Sequence, residues 1–233
     1  MGKTYLKLIL STALLSPPAF AGVTGYITPE RNSSLDRDIY RAFTIAGMAR
    51  LNRPYKVNDV RAAIELIKES EPALAARLDR ELSNREAPAS VDTIEASANS
   101  ADDVIRPNAK GAAGQEPFQL GAEAHWQGAS WFRVNGALIF GEQEQSFAGT
   151  LVSIGGDLVQ LDIGFKPYWL SPLQGHSQLL STQSEVAPSI SLSNPVVINS
   201  WGLRWNYEIA IAELSKQMTA FSGSFDDSKG PLL

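Results

Sequence analysis

Asp162 and Glu208 are the side chains of this sequence best placed to do chemistry. Each falls on the polar face of a segment whose residues alternate in polarity. Two carboxylates can cleave a glycosidic bond, one as acid and the other as base or nucleophile. Acids lining the inside of a sheet are the commoner reason for such positions. No other catalytic constellation is present. The histidines are His125 and His176, and cysteine is absent. There is no G-x-S-x-G elbow, no H-E-x-x-H pair and no phosphate loop. The expectation is a non-enzymatic chain with no cofactor and no metal.

A second group of residues suits binding. The stretch YWLSPLQGHSQLLSTQSEVAPSISLSNP, residues 168–195, is too long for a turn and too rich in Ser, Pro and Gln for a strand. Tyr168 and Trp169 could stack on sugar rings, because an aromatic face suits the apolar face of a sugar. Packing under the loop, or an interfacial girdle, is the commoner reason for such a pair. Gln174, His176, Gln183 and Glu185 could hydrogen-bond sugar hydroxyls. The alternative is a self-satisfied loop that plugs the inside of a sheet.

The elements that position these residues begin after a leader. Lys3 and Lys7 precede a short apolar run, Leu6 to Leu15, and Ala19-Phe20-Ala21 forms an A-x-A cleavage site. This reads as a signal peptide over residues 1–21, with Ala19 and Ala21 at the cleavage site and an apolar run too short to span a bilayer. Removing it leaves 212 residues carrying 18 basic and 25 acidic side chains, a formal charge of −7. That balance argues against a nucleic-acid partner. An exported chain without cysteine, and without 18 consecutive apolar residues, points to the periplasm or the outer membrane.

Residues 22–83 read as a small helical bundle. Ser34 is a candidate cap for a helix with Leu35, Ile39, Ala42 and Ala46 on one face, ended by Gly47 and Asn52-Arg53-Pro54. Asn58 is a candidate cap for a second helix, with Val60, Ile64 and Ile67 inward. Pro72 fits the first turn of a third, with Leu74, Leu78 and Leu82 on one side. Residues 84–115 contain NREAPAS, EASANSADD and NAKGAAG, and read as a polar linker.

Residues 116–233 change to period two. Phe118, Leu120, Ala122, Ala124 and Trp126 alternate with Gln119, Gly121, Glu123 and His125. Further runs cover 132–140, roughly 147–154, 159–165 and 203–212, and another begins at Gln217–Phe221. Gly155-Gly156-Asp157 suits a hairpin turn. In a soluble sandwich the apolar face would point to a shared core; in an outer-membrane barrel it would meet lipid. Strands of about 9–11 residues, aromatics at strand ends and glycines on the polar face favour the barrel. The expected fold is therefore mainly β: part of a transmembrane antiparallel β-barrel, preceded by a small α-helical bundle. About six strands are too few to close a bacterial barrel, which needs roughly eight or more.

Residues 164–194, GFKPYWLSPLQGHSQLLSTQSEVAPSISLSN, resemble the central signature of the capsule assembly Wzi family, with Ser171-Pro172, Leu179 to Thr182, Glu185, Pro188-Ser189 and Ser193-Asn194 at the matching places. LDRDIYRAFTIAGMARL with RPYKVNDVRAAI is similar to that family's helical opening, and GLRWNYEIAIAEL to the strand after the signature. Leu170 departs from the pattern where a second tryptophan is often found, and the family's later strands are absent. The resemblance implies an outer-membrane barrel with a periplasmic helical bundle against its mouth and with capsular polysaccharide and outer-membrane lipid as partners, of which this chain is an N-terminal part. A soluble periplasmic glycan-binding β-sandwich is the alternative. With Phe118 as the start of the first strand, rising from the periplasm, the loops at 127–130 and 155–157 would face outward.

Overall fold

The computed structural model describes residues 22–29, 33–49, 52–98, 118–141, 145–170, 186–200 and 203–213. The expected signal peptide and the strand expected from Gln217 lie outside these residues. Three helices come first: α1, Ser34–Ile45; α2, Val57–Ile67; and α3, Pro72–Arg85. Their apolar stripes meet in one cluster. Ile39, Ala42 and Phe43 come from α1, Val60, Ile64 and Ile67 from α2, and Leu74, Leu78 and Leu82 from α3. Each large aliphatic side chain so buried contributes about 1.5–3 kcal/mol. Helices this short depend on that shared burial more than on propensity.

Both predicted caps differ in detail. Ser33, one residue before Ser34, caps α1, its hydroxyl accepting from the Asp36 amide at 3.2 Å. Helix α2 begins at Val57, so Asn58 lies inside it and its side chain is free for another task. The Asn58 amide group donates to the Pro195 carbonyl at 3.1 Å, and its backbone N–H donates to the Thr24 hydroxyl at 3.1 Å. A hydroxyl distant in sequence thus satisfies an orphan donor of the first turn.

A sheet of eight strands follows. Seven form the main path: β1, Ala89–Ala98; β2, Phe118–Ala129; β3, Phe132–Gly141; β4, Leu151–Gly155; β5, Gln160–Gly164; β6, Ser189–Ser193; and β7, Glu208–Ala212. Each pairs antiparallel with the next in chain order, and Gln145–Ser146 pairs with the end of β3. Among the described residues β1 and β7 are the edges, so the sheet is an open barrel wall.

The faces of this sheet are inverted relative to a soluble sandwich. Leu120, Trp126, Leu138, Phe140, Ile154, Ile163, Ile190, Ile209 and Ile211 are exposed, while His125, Arg133, Ser153, Gln160, Asp162 and Ser191 are buried. Register keeps the apolar positions opposite one another: Leu120 faces Phe140, Ile154 faces Leu161 and Ile163 faces Ile190. Aromatics concentrate at two levels. Phe132 contacts both Trp126 and Trp131 at the rim nearest the helices; Phe118, Phe140 and Phe147 are exposed at the other.

Four expectations need correction. The linker expected over 84–115 contains the end of α3 and all of β1. Strand β1 was hidden because its outward face carries only Val91 and Ile94 as large apolar residues, and a bulge between Val91 and Thr93 breaks the period. Strand β6 lies within the segment read as too serine-rich for a strand. Its serines all face inward, with Ile190 and Leu192 outward, so the alternation is intact. The strand expected over 203–212 is broken. Leu203–Trp205 pairs with Ile198–Ser200, and β7 starts at Glu208. The fully buried Asn194 side chain makes the break, accepting from the Tyr207 N–H at 2.8 Å and donating to Trp205 O and Asn206 Oδ1. Finally, β1 precedes the strand taken as first, which reverses the direction of every later strand. The turns at 129–132 and 155–160 therefore share the rim at which α3 enters β1.

Candidate functional site

The concave, polar face of the sheet is filled by the chain's own N-terminal segment. The Val23 N–H donates to Ser130 O at 2.8 Å. Gln160 then grips Thr24 through a reciprocal pair: the Thr24 N–H donates to Oε1 at 2.7 Å, and Nε2 donates to the Thr24 carbonyl at 3.1 Å. The buried side-chain amide imitates a neighbouring strand. Gly25 lies against the Arg133 guanidinium, where an added Cβ would stand 2.7 Å from Cζ. Tyr26–Ile27 next pairs antiparallel with Tyr55–Lys56 before α2.

At the centre is a charged knot. The Tyr26 hydroxyl donates to Asp162 at 2.5 Å. Asp162, 1% exposed, also accepts from Ser153 at 2.7 Å, Gln160 at 2.7 Å and Lys166 at 3.3 Å. The Lys166 ammonium reaches Glu208 at 2.5 Å and lies 4.1 Å from the centre of the Tyr26 ring and 5.4 Å from that of Tyr168. Burial holds the Tyr26 phenol far above the usual tyrosine range, so it stays a donor. The two carboxylates singled out for glycoside chemistry are thus brought together, but one ammonium bridges them and Asp162 has no open approach. They tie β5 and β7 to the plug.

Two further contacts seal the plug. Gly164, at φ +141°, turns the chain out of β5 toward the interior; a Cβ there would meet the Thr150 carbonyl oxygen at 2.2 Å. The following residues reach the bundle, where Trp169–Leu170 pairs with Asn52–Arg53. The Arg53 guanidinium lies 5.5 Å from the Trp169 ring centre and 5.4 Å from that of Tyr55. It also pairs with the fully buried Asp36 at 2.8 Å. Burial pushes the Tyr55 phenol up to about 12. On the opposite side of the interior, His125 lies buried with Nδ1 2.7 Å from the Asp92 carboxylate and Nε2 2.8 Å from Ala87 O. Arg133 donates to Arg85 O at 3.0 Å.

Of the sequence-predicted binding residues, Tyr168 and Trp169 are described. Tyr168 is half-buried over Lys166, and Trp169 is buried with Arg53 against its ring. Gln174, His176, Gln183 and Glu185 lie outside the described residues. Sequence reasoning missed Tyr26, Gln160, Lys166 and Asn194. Gln160 and Asn194 carried a signal, since both are amides beside positions that alternate with aliphatic residues. Tyr26 and Lys166 lie outside any periodic run.

The class of protein this geometry defines is an antiparallel β-barrel wall whose polar interior is filled by an N-terminal helical and extended plug. A solved β-barrel structure matches the chain with a TM-score of 0.59 and 18% identity, over 81% of this chain and 45% of that one. It is Wzi from Escherichia coli, an outer-membrane protein involved in group 1 capsule assembly and a carbohydrate-binding β-barrel. The chain spans less than half the length of that protein, and the likeness is one of fold. No protein-family model matches the chain, and no curated protein matches it.

Proposed function

We propose that this chain is part of an exported outer-membrane β-barrel that assembles or attaches capsular polysaccharide at the cell surface without catalysing a reaction. The observation that carries this reading is the inverted sheet, apolar outside and polar inside. Between Phe118 and Trp126 run eight steps of about 3.3 Å, some 26 Å of strand. Tilted by about 35–45°, as barrel strands are, that length rises about 19–21 Å, most of the roughly 25 Å apolar band that aromatic girdles flank in an outer-membrane barrel. An open edge in lipid would leave backbone groups unsatisfied at several kcal/mol each. Among the described residues β1 and β7 are unpaired edges, so closure requires further strands, from a longer chain or from further copies of it.

In this reading the helices lie on the periplasmic side, β1 rises from them, and the ends of β1, β3 and β5 lie toward the exterior. Tyr168, Trp169, Gln174, His176, Gln183 and Glu185 are the candidate polysaccharide contacts of this reading. The test is fractionation. The protein should stay in membranes after osmotic shock and a carbonate wash, and should show heat-modifiable migration on gels. Release by osmotic shock alone would return the soluble glycan-binding reading to first place.

A further inference from the structure

A second concavity, of about 230 Å³, opens where the helices meet the rim of the sheet, beside the filled interior, with which it shares Glu208. Helix α1 and the start of α2 form one wall, and the segment from Val197 to Glu208 forms the other. Trp205 lines it with its ring half-exposed, beside the buried Tyr55. Lys56, Asp59, Arg204 and Asn206 supply polar groups from both walls.

Three properties limit what could occupy it. The first is size. The volume falls below the roughly 300–1,000 Å³ of pockets for drug-sized ligands, so there is room for one small ring and not for a chain. The second is charge. Lys56 and Arg204 face Asp59 and Glu208, and Lys166 already neutralises Glu208. A phosphate would gain little from so balanced a lining, and an acyl chain would strand its polar groups. The third is an unmet need. Asp59 Oδ1 is sealed from solvent and has no hydrogen-bond partner, and a buried acceptor without a donor is costly. Burial raises the Asp59 carboxyl to about 6. A pyranose ring meets all three conditions. It is neutral, has an apolar face for Trp205 and brings hydroxyl donors for Asp59.

We infer that this crevice between helical bundle and sheet rim is a binding site for a single sugar residue, with Trp205 as the stacking platform and Asp59 as the hydroxyl acceptor. It extends the carbohydrate reading to the side of the barrel that carries the helices.

The test is saturation-transfer NMR on the full chain in detergent micelles, with glucose, galactose and glucuronate as probes. At least one should bind in the millimolar range. Trp205→Ala and Asp59→Ala should each weaken it about tenfold or more, Trp205→Phe should restore most of it, and Glu81→Ala, on the exposed face of α3, should leave it unchanged. Trp205 is half-exposed, so its replacement tests the site without emptying a core. Sugar binding indifferent to Trp205 and Asp59 would place the ligand elsewhere and overturn the site. Binding of capsular polymer with no monosaccharide binding would overturn the site while leaving the polysaccharide reading intact. Failure of both would overturn both.

Discussion

The Lys166 ammonium lies 2.5 Å from the Glu208 carboxylate, across 42 residues of sequence and inside the polar face of the sheet. Lys166 is also an acceptor's distance from Tyr26 and Asp162. One cation thus neutralises two acids belonging to different strands and links both to the N-terminal segment. Removing one partner of a buried pair costs about 3–5 kcal/mol, because the remaining charges are left uncompensated. Lys166→Met should lower refolding stability in detergent by that amount, read as a shift in urea midpoint. Replacing Lys166, Asp162 and Glu208 together with apolar residues should cost less than the single change.

Gly164 is required for a different reason. Its φ of +141° is one that side chains avoid, and a Cβ would press on the Thr150 carbonyl. Gly164→Ala should destabilise by about 1–3 kcal/mol. It should also detach the segment that carries Lys166 and Trp169 from the bundle. Limited proteolysis within residues 165–170 would report that release, and unchanged protection there would count against the account.

Asp59 gives the fold a pH dependence. Its folded-state carboxyl is raised from 3.8 to about 6 by burial, with Lys56 opposing the shift. The folded state therefore holds its proton more tightly than the unfolded chain does. This group's contribution is fully present below about pH 4 and is lost as pH rises through about 6, where the buried carboxylate ionises. At about 1.4 kcal/mol per pKa unit, the loss amounts to about 3 kcal/mol. Asp59→Asn should flatten that slope and raise stability at pH 7. Urea titrations of the parent and variant at pH 4, 5, 6 and 7 would show whether the curves diverge in this window.

How far these features could be read from sequence depends on which force sets them. The helical faces were legible because Leu74, Leu78 and Leu82 recur at helical spacing and are buried. The alternation in β2, β3 and β5 was legible for the same reason, with period two. What failed was local. Strand β1 lacks enough outward apolar residues to announce itself, and β6 hides its alternation behind three serines. The break before β7 is imposed by Asn194, a residue 13 positions away from the Tyr207 N–H it accepts from. The knot at Lys166 depends on Tyr26, 140 residues away, and no pattern along the chain records such a meeting.

The sharpest prediction concerns the exposed aliphatic residues. Ile163 on β5 and Ile190 on β6 face each other across the ladder, 44% and 53% exposed. In water, replacing an exposed isoleucine with arginine is nearly neutral, since surface changes away from special features stay within about 0.5 kcal/mol. On the lipid face of a barrel the same change costs about 2–4 kcal/mol near the bilayer midplane and about 0–1 near the interfaces. Ile163→Arg and Ile190→Arg should therefore lower stability sharply in lipid vesicles. Phe118→Arg, at the outer aromatic level, should do so much less. Folding each variant into vesicles and comparing urea midpoints separates the two environments. A depth-dependent penalty would place the apolar face in lipid. Equal and negligible effects at all three sites would mean that this face meets water or another protein surface.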